Sequence, residues 1–162
     1  MRHLDRAVTA LAVAGFIVML LVTGAQVAFR KLSISVDWTE EAARVLFILT
    51  MFFGIAIAIR ERQHIVVDFL FNRLSPRAQA LGRIVFNILI LVLLISLLRG
   101  AAAMAVVTWE SFMIAMSWLR TGHLFLGECI AIALMMLYVA RDTLRHLGVL
   151  FGQANVATEP PR

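Results

Sequence analysis

Residues 60–77 read RERQHIVVDFLFNRLSPR and interrupt a chain that is otherwise strongly apolar. Of the 162 residues, 62% are hydrophobic, and the mean hydropathy is +0.91. Soluble domains are about 45–50% apolar, so this composition predicts a membrane protein. The charged stretch therefore separates segments that are expected to lie in a bilayer.

Four segments on either side of this stretch are long enough to cross a membrane as helices. A spanning helix needs about 20 apolar residues, because each residue rises about 1.5 Å through a core of about 30 Å. The first segment is too long for a cleaved signal sequence, so we expect it to be retained. The sequence predicts one all-α domain at 1–151 and a disordered cytoplasmic tail at 152–162. The four spans are expected at about 7–29, 42–59, 84–107 and 124–140.

The basic residues predict the orientation of these helices. Ten of the fifteen Lys and Arg residues lie at the termini or between the second and third spans, whereas three lie between the other spans. Cytoplasmic loops carry the excess of basic residues, so both termini and the 60–83 loop are expected in the cytoplasm. The net charge of +5 is explained by basic residues that orient the chain in the membrane. No nucleic-acid partner is therefore expected.

Within the charged stretch, residues 63–74 have the pattern of an amphipathic helix. Polar side chains recur four residues apart at His64 and Asp68, and apolar side chains such as Phe69 fill the other face. The segment is too short to span, so we expect an interfacial helix on the cytoplasmic leaflet, with Arg73 near anionic lipid head groups. A solvated polar face is the plainer interpretation of the His64/Asp68 pair, and a functional switch is the alternative.

Charged residues also gather where the second span begins, at the opposite side of the membrane. Asp37 and Glu40 have the spacing of a capping box, and Glu40 and Glu41 suit the first turn of a helix. Arg44 lies one turn further on and can pair with either glutamate. Two interpretations stay open: a helix cap with a local ion pair, or a charged rim that meets a receptor or another subunit.

Two charged residues are expected inside the membrane. Arg99 lies in the third span, and Glu128 lies about one turn inside the fourth. A central Arg costs about 2.5–3.5 kcal/mol on insertion scales, so Arg99 is expected to face protein or water. An ion pair between Arg99 and Glu128 is the favoured interpretation. Extension of Arg99 toward Glu110 or the outer head groups is the alternative.

Small residues four apart mark faces that allow helices to approach closely. Thr50, Gly54 and Ala58 form such a stripe on the second span, and Ser96 and Gly100 repeat the spacing on the third. The stripes indicate helix packing without identifying the partner.

The sequence offers little to support an enzyme, and no catalytic residue, metal ligand or cofactor is assigned. All four histidines lie at span ends or outside spans, and the single cysteine, Cys129, excludes an internal disulfide. No proline interrupts a span, as the broken helices of many carriers would require. The physics favours a subunit that positions another protein. A stand-alone small carrier or channel and the membrane anchor of a redox complex are the alternatives.

Three linked motifs resemble a known family. They are W-x-E-E-x-A-R at residues 38–44, F-x-G-x-A-x-A-x-R at residues 52–60 and H-I-V-V-D at residues 64–68. This combination resembles the small permease subunit of tripartite ATP-independent periplasmic (TRAP) transporters, the DctQ-like family.

The resemblance implies a multi-pass protein of the bacterial inner membrane with two protein partners. One is a large multi-span permease subunit that carries an organic acid, driven by a sodium gradient. The other is a periplasmic substrate-binding protein that delivers the acid. The small subunit is expected to brace the large one and to bind no cofactor itself, with sodium coupling in the large subunit.

Overall fold

The computed structural model describes residues 2–34, 36–61 and 76–150, all of which form helices and their connections. Four of the helices are long and apolar enough to cross a membrane, which confirms the predicted all-α class and the number of spans. The interfacial helix predicted at 63–74, with His64, Asp68, Phe69 and Arg73, lies outside the described residues, as does the predicted tail at 152–162. The helices are α1 (Arg2–Lys31), α2 (Asp37–Arg60), α3 (Pro76–Val107) and α4 (Thr121–Leu150).

Each predicted span lies within one helix, but every helix is longer than the apolar segment that predicted it. The extra turns contain a mixture of polar and apolar residues and remain helical beyond the predicted apolar segments. Helix α2 begins at Asp37, and its N-cap is Val36, which makes no side-chain capping hydrogen bond. The capping box expected from Asp37 and Glu40 is therefore wrong, because Asp37 is already inside the first turn.

A Schellman motif ends α1 and starts the short connection to α2. Ser33 has a φ of 56°, in the left-handed region. The amide of Ile34 donates to the carbonyl of Phe29 at 3.0 Å, and the amide of Ser33 donates to that of Arg30 at 3.2 Å. These bonds satisfy carbonyls that the end of the helix would otherwise leave unpaired. The turn reverses the chain, so α2 returns alongside α1.

The described helices pack in the order α1, α2, α4, α3. Helix α1 packs on α2, α2 packs on α4, and α4 packs on α3, and no other pair of described helices makes a close backbone approach. The fourth helix therefore lies between the second and the third. Among the described helices, α1 and α3 each have one neighbour, so large parts of their apolar surfaces are exposed.

The core lies where α4 meets its two neighbours. Ala56 of α2 and Ile132 of α4 are 0% and 1% exposed, and Leu94 of α3 is also buried in the cluster. Side chains such as Phe52 and Met136 pack around them. The small side chain of Ala56 lets the apolar side chains of α4 fill this centre.

Three glycines permit close helix contacts. A Cβ at Gly15 would lie 2.9 Å from the hydroxyl of Thr50, and a Cβ at Gly127 would meet the side chain of Leu49. A Cβ at Gly122 would lie 3.1 Å from the carbonyl oxygen of Ala105. These positions join α1 to α2, α2 to α4 and α3 to α4, so one glycine serves each helix pair.

Candidate interaction surfaces

The first candidate surface is the start of α2, where the sequence places several charges. The carboxylate of Glu40 lies 3.6 Å from the guanidinium of Arg44, one turn away, and their side chains are 68% and 67% exposed. This confirms the local ion pair. Because both groups are highly exposed, the pair contributes about 0–1 kcal/mol to stability. Both side chains remain available to a partner.

Glu41, next to Glu40, has a different environment. Its carboxylate accepts hydrogen bonds from the amides of Ala115 and Met116, at 2.7 Å and 3.0 Å. Both amides belong to the connection between α3 and α4. One side chain of α2 therefore fixes the loop at residues 108–120, which we call the outer loop. The sequence identified Glu41 as a charged rim residue, but 74 residues separate it from Ala115, so no local pattern indicated this contact.

The outer loop is a compact turn with an apolar tip. The amide of Met113 donates to the carbonyl of Leu119 at 3.0 Å, which closes the turn that Glu41 supports. Ile114 and Trp118 at the tip are 99% and 77% exposed. At the base of the tip, the guanidinium of Arg120 lies 5.3 Å from the ring centre of Phe112, within the range of a cation–π interaction. The outer loop thus presents large apolar side chains on a fixed backbone.

The opposite end of the helix row carries a polar network that the sequence did not reveal. The hydroxyl of Tyr138 donates to the Asp5 carboxylate at 2.9 Å. The guanidinium of Arg60 donates to the backbone carbonyl of Asp5 at 3.1 Å and to the hydroxyl of Thr9 at 3.3 Å. It also pairs with Glu61 at 2.6 Å. Asp5 thereby links α1 to both α2 and α4, although α2 is the one described helix on which α1 packs closely.

A second polar contact at this end joins α3 to α4. The side-chain amide of Asn87 donates to the carboxylate of Asp142 at 3.0 Å, and Asn87 is buried. The polar contacts at this end therefore link all four helices.

We expect Tyr138→Phe to loosen α1. The substitution keeps the ring and removes one hydrogen bond, which corresponds to about 1 kcal/mol of stability. Amide hydrogen exchange of residues 5–12 should become faster in the detergent-solubilised protein. Thr143→Val is the matched control, because the Thr143 hydroxyl donates to the carbonyl of Val139 within its own helix. Equal exchange rates in both variants would show that Tyr138 does not hold α1.

The side faces of α3 and α4 carry the two charged residues expected inside the membrane. Arg99 is on an exposed face of α3, whereas Glu128 is half-buried in a cleft between α3 and α4. Among the described residues no ion pair joins them, so the structure does not bring the expected partners together. The carboxylate of Glu110, the alternative partner of Arg99, instead lies 3.9 Å from the guanidinium of Arg120.

The predicted small-residue stripes are only partly used within the chain. Thr50 faces Gly15 of α1, but a Cβ at Gly54 or Gly100 would meet nothing within 4 Å. Ala58 is partly buried. In the described part of the chain, no group of three or more His, Cys, Asp and Glu side chains has the arrangement of a metal site.

Four apolar helices in a row, with exposed faces on the end helices and polar contacts at both ends, define a multi-pass membrane protein. The chain belongs to the DctQ component family of tripartite ATP-independent periplasmic transporters, whose sequence profile matches residues 4–148. It is thus a small permease subunit of a TRAP transporter, and its family is one of transporter permeases rather than enzymes.

Similar proteins agree with this assignment. Two putative TRAP transporter small permease proteins of Haemophilus influenzae are 35% identical over 39% of this chain and 24% identical over 80% of it. The matched parts are 39% and 79% of those proteins. The isethionate TRAP transporter permease protein DctMQ of Oleidesulfovibrio alaskensis is 31% identical over 50% of this chain, and the match covers 14% of its own length.

Proposed function

We propose that the chain scaffolds a large permease subunit and does not itself transport the substrate. The observation that carries this proposal is the row of the four described helices, in which α1 and α3 each pack on a single other described helix. Such a row has broad apolar faces for a partner but packs its own centre tightly around Ala56 and Ile132. The relative DctMQ supports a large partner, since the similar segment is a small part of that permease.

The complete transporter would import an organic acid with a sodium gradient and a periplasmic binding protein. The family description supports this in outline, because a tripartite and ATP-independent system needs a third component and an energy source other than ATP. The acid is supported by the name of the relative DctMQ, which is an isethionate permease. Sodium coupling would take place in the large subunit.

The direct test is uptake into proteoliposomes. We expect the purified chain alone to give no sodium-driven uptake, whereas the chain reconstituted with its large permease and binding protein should give uptake that stops without sodium. The large permease would be identified by mass spectrometry after co-purification from native membranes. Uptake by the chain alone would favour a stand-alone carrier, and a haem absorbance spectrum would favour a redox anchor.

We further propose that the chain lies in the bacterial inner membrane with both termini in the cytoplasm. The excess of arginines at the termini and between the second and third spans supports this orientation. In a Cys129→Ala background, a cysteine at Ser111 should react with an impermeant maleimide added to intact spheroplasts. A cysteine at Asn72 should react only after the membrane is opened. The reverse pattern would contradict this orientation.

In this orientation the start of α2 and the outer loop face the periplasm. The exposed carboxylate of Glu40, the guanidinium of Arg44 and the apolar tip at Trp118 would then be accessible to the binding protein. Glu41 would act indirectly, by holding the outer loop in place. Glu40 and Arg44 are therefore proposed receptor contacts, and Glu41 is a positioning residue.

A further inference from the structure

The cleft between α3 and α4 contains a carboxyl group at membrane depth. The cleft has a volume of about 360 Å³ and is lined by Glu128 together with Phe52, Ser96, Gly100, Met104 and Phe125 among others. Gly100 lies seven residues before the end of α3, and Glu128 lies seven residues after the start of α4. At about 1.5 Å per residue, both are about 10 Å inside the helix ends. The polar group and the open glycine are thus at the same depth.

Nothing in the described part of the chain forms a hydrogen bond or an ion pair with the carboxyl of Glu128. Ser96 is the other polar side chain that lines the cleft, but its hydroxyl donates to the carbonyl of Val92 at 3.1 Å. That proton is used within α3. A carboxyl group without a partner is costly among apolar side chains, and a donor from another protein would offset that cost.

The shape of the cleft favours a helix as the source of that donor. A Cβ at Gly100 would meet no atom within 4 Å, so a second backbone can approach α3 closely at this point. A lipid acyl chain would fill the apolar walls equally well but would leave the carboxyl without a hydrogen bond. A helix satisfies both requirements, since it packs on the glycine and carries a polar side chain.

We propose that this cleft seats a transmembrane helix of the large permease subunit, on which a basic or hydroxyl side chain donates a hydrogen bond to Glu128. The proposal rests on the proposed function and specifies which face of the chain meets the partner. Arg99 is exposed on α3 one residue from Gly100 but does not line the cleft, so it is not part of the proposed contact.

The test measures association of this chain with the large permease that co-purifies with it. Both proteins are labelled with fluorophores, and energy transfer is measured in phosphatidylethanolamine and phosphatidylglycerol vesicles. We expect Glu128→Leu to weaken association about three- to tenfold, the size expected for an interhelical hydrogen bond. Glu128→Gln should remain within about twofold of the wild type, because its amide oxygen still accepts. Gly100→Leu should weaken association by filling the cleft.

Gly24→Leu is the matched control, since a Cβ there also meets nothing within 4 Å but lies on α1, away from the cleft. It should weaken association less than Gly100→Leu does. Circular dichroism of each variant establishes that the helices are intact. A photoreactive residue at Leu97, which lines the cleft, should cross-link to a peptide of the large permease.

Wild-type association by Glu128→Leu and Gly100→Leu would overturn the proposal while leaving the scaffold function intact. Cross-links from position 97 to lipid alone would overturn it in the same way. Failure of any large permease to co-purify with the wild-type chain would remove both the scaffold function and this inference.

Discussion

Gly122→Val should destabilise the chain by about 1–3 kcal/mol, the usual cost of overfilling a packed site. A Cβ at this position would lie 2.9 Å from the Trp109 ring and 3.1 Å from both the Ala105 carbonyl oxygen and the Trp109 Cα. Two of these three atoms belong to the backbone and cannot move without shifting the end of α3. The measurement is the midpoint of unfolding during titration with sodium dodecyl sulfate.

Gly24→Val provides the comparison, because it introduces the same side chain into a helix at a position with open space. Because the space around Gly24 is open, a larger loss at Gly122 reports the contact with the end of α3. Equal midpoints for the two variants would contradict the close approach of α3 and α4 at Gly122.

Glu41→Leu should release the outer loop. The substitution removes an acceptor shared by two backbone amides, and hydrogen bonds to charged groups contribute about 1.5–3 kcal/mol each. Part of that loss is recovered, because the freed amides of Ala115 and Met116 can bind water at the membrane surface. We therefore expect a net loss of about 1–3 kcal/mol and much faster cleavage of the outer loop by a protease of broad specificity.

Glu40→Leu is the matched control for this prediction. It removes the same charge one residue away, where the carboxylate has only the exposed ion pair with Arg44. Stability should change by about 0–1 kcal/mol, with no effect on cleavage of the outer loop. If the two leucine variants were cleaved at the same rate, the hydrogen bonds from Glu41 would not be what orders the loop.

The spans could be predicted from sequence because the requirement is simple: a bilayer demands about 20 apolar residues in each segment. Their ends could not be placed as well. Val36 is the N-cap of α2 without any capping side chain, so the preference for Asp at such positions favoured the wrong residue. The turn at Ser33 was also not evident, since a glycine is the usual residue in the left-handed region.

The contacts between helices were harder to predict, because they depend on which faces meet. Gly54 and Gly100 have the spacing of packing residues, yet both face open space, whereas Gly15, Gly122 and Gly127 make the close contacts. Glu40 and Glu41 are adjacent and chemically identical, but one is exposed to solvent and the other binds the outer loop. The Asp5–Tyr138 bond joins residues 133 positions apart. Local sequence patterns do not indicate contacts between residues so far apart in the chain.

The position of α4 between α2 and α3 has a consequence for biosynthesis. A nascent chain that ends at Val107 already contains three complete helices, but among the described residues no close backbone contact attaches α3 to the α1–α2 hairpin. The hairpin can associate early, through its short five-residue turn. The third helix has no close contact with the hairpin until α4 inserts between α2 and α3, so α4 joins the first three helices into one body.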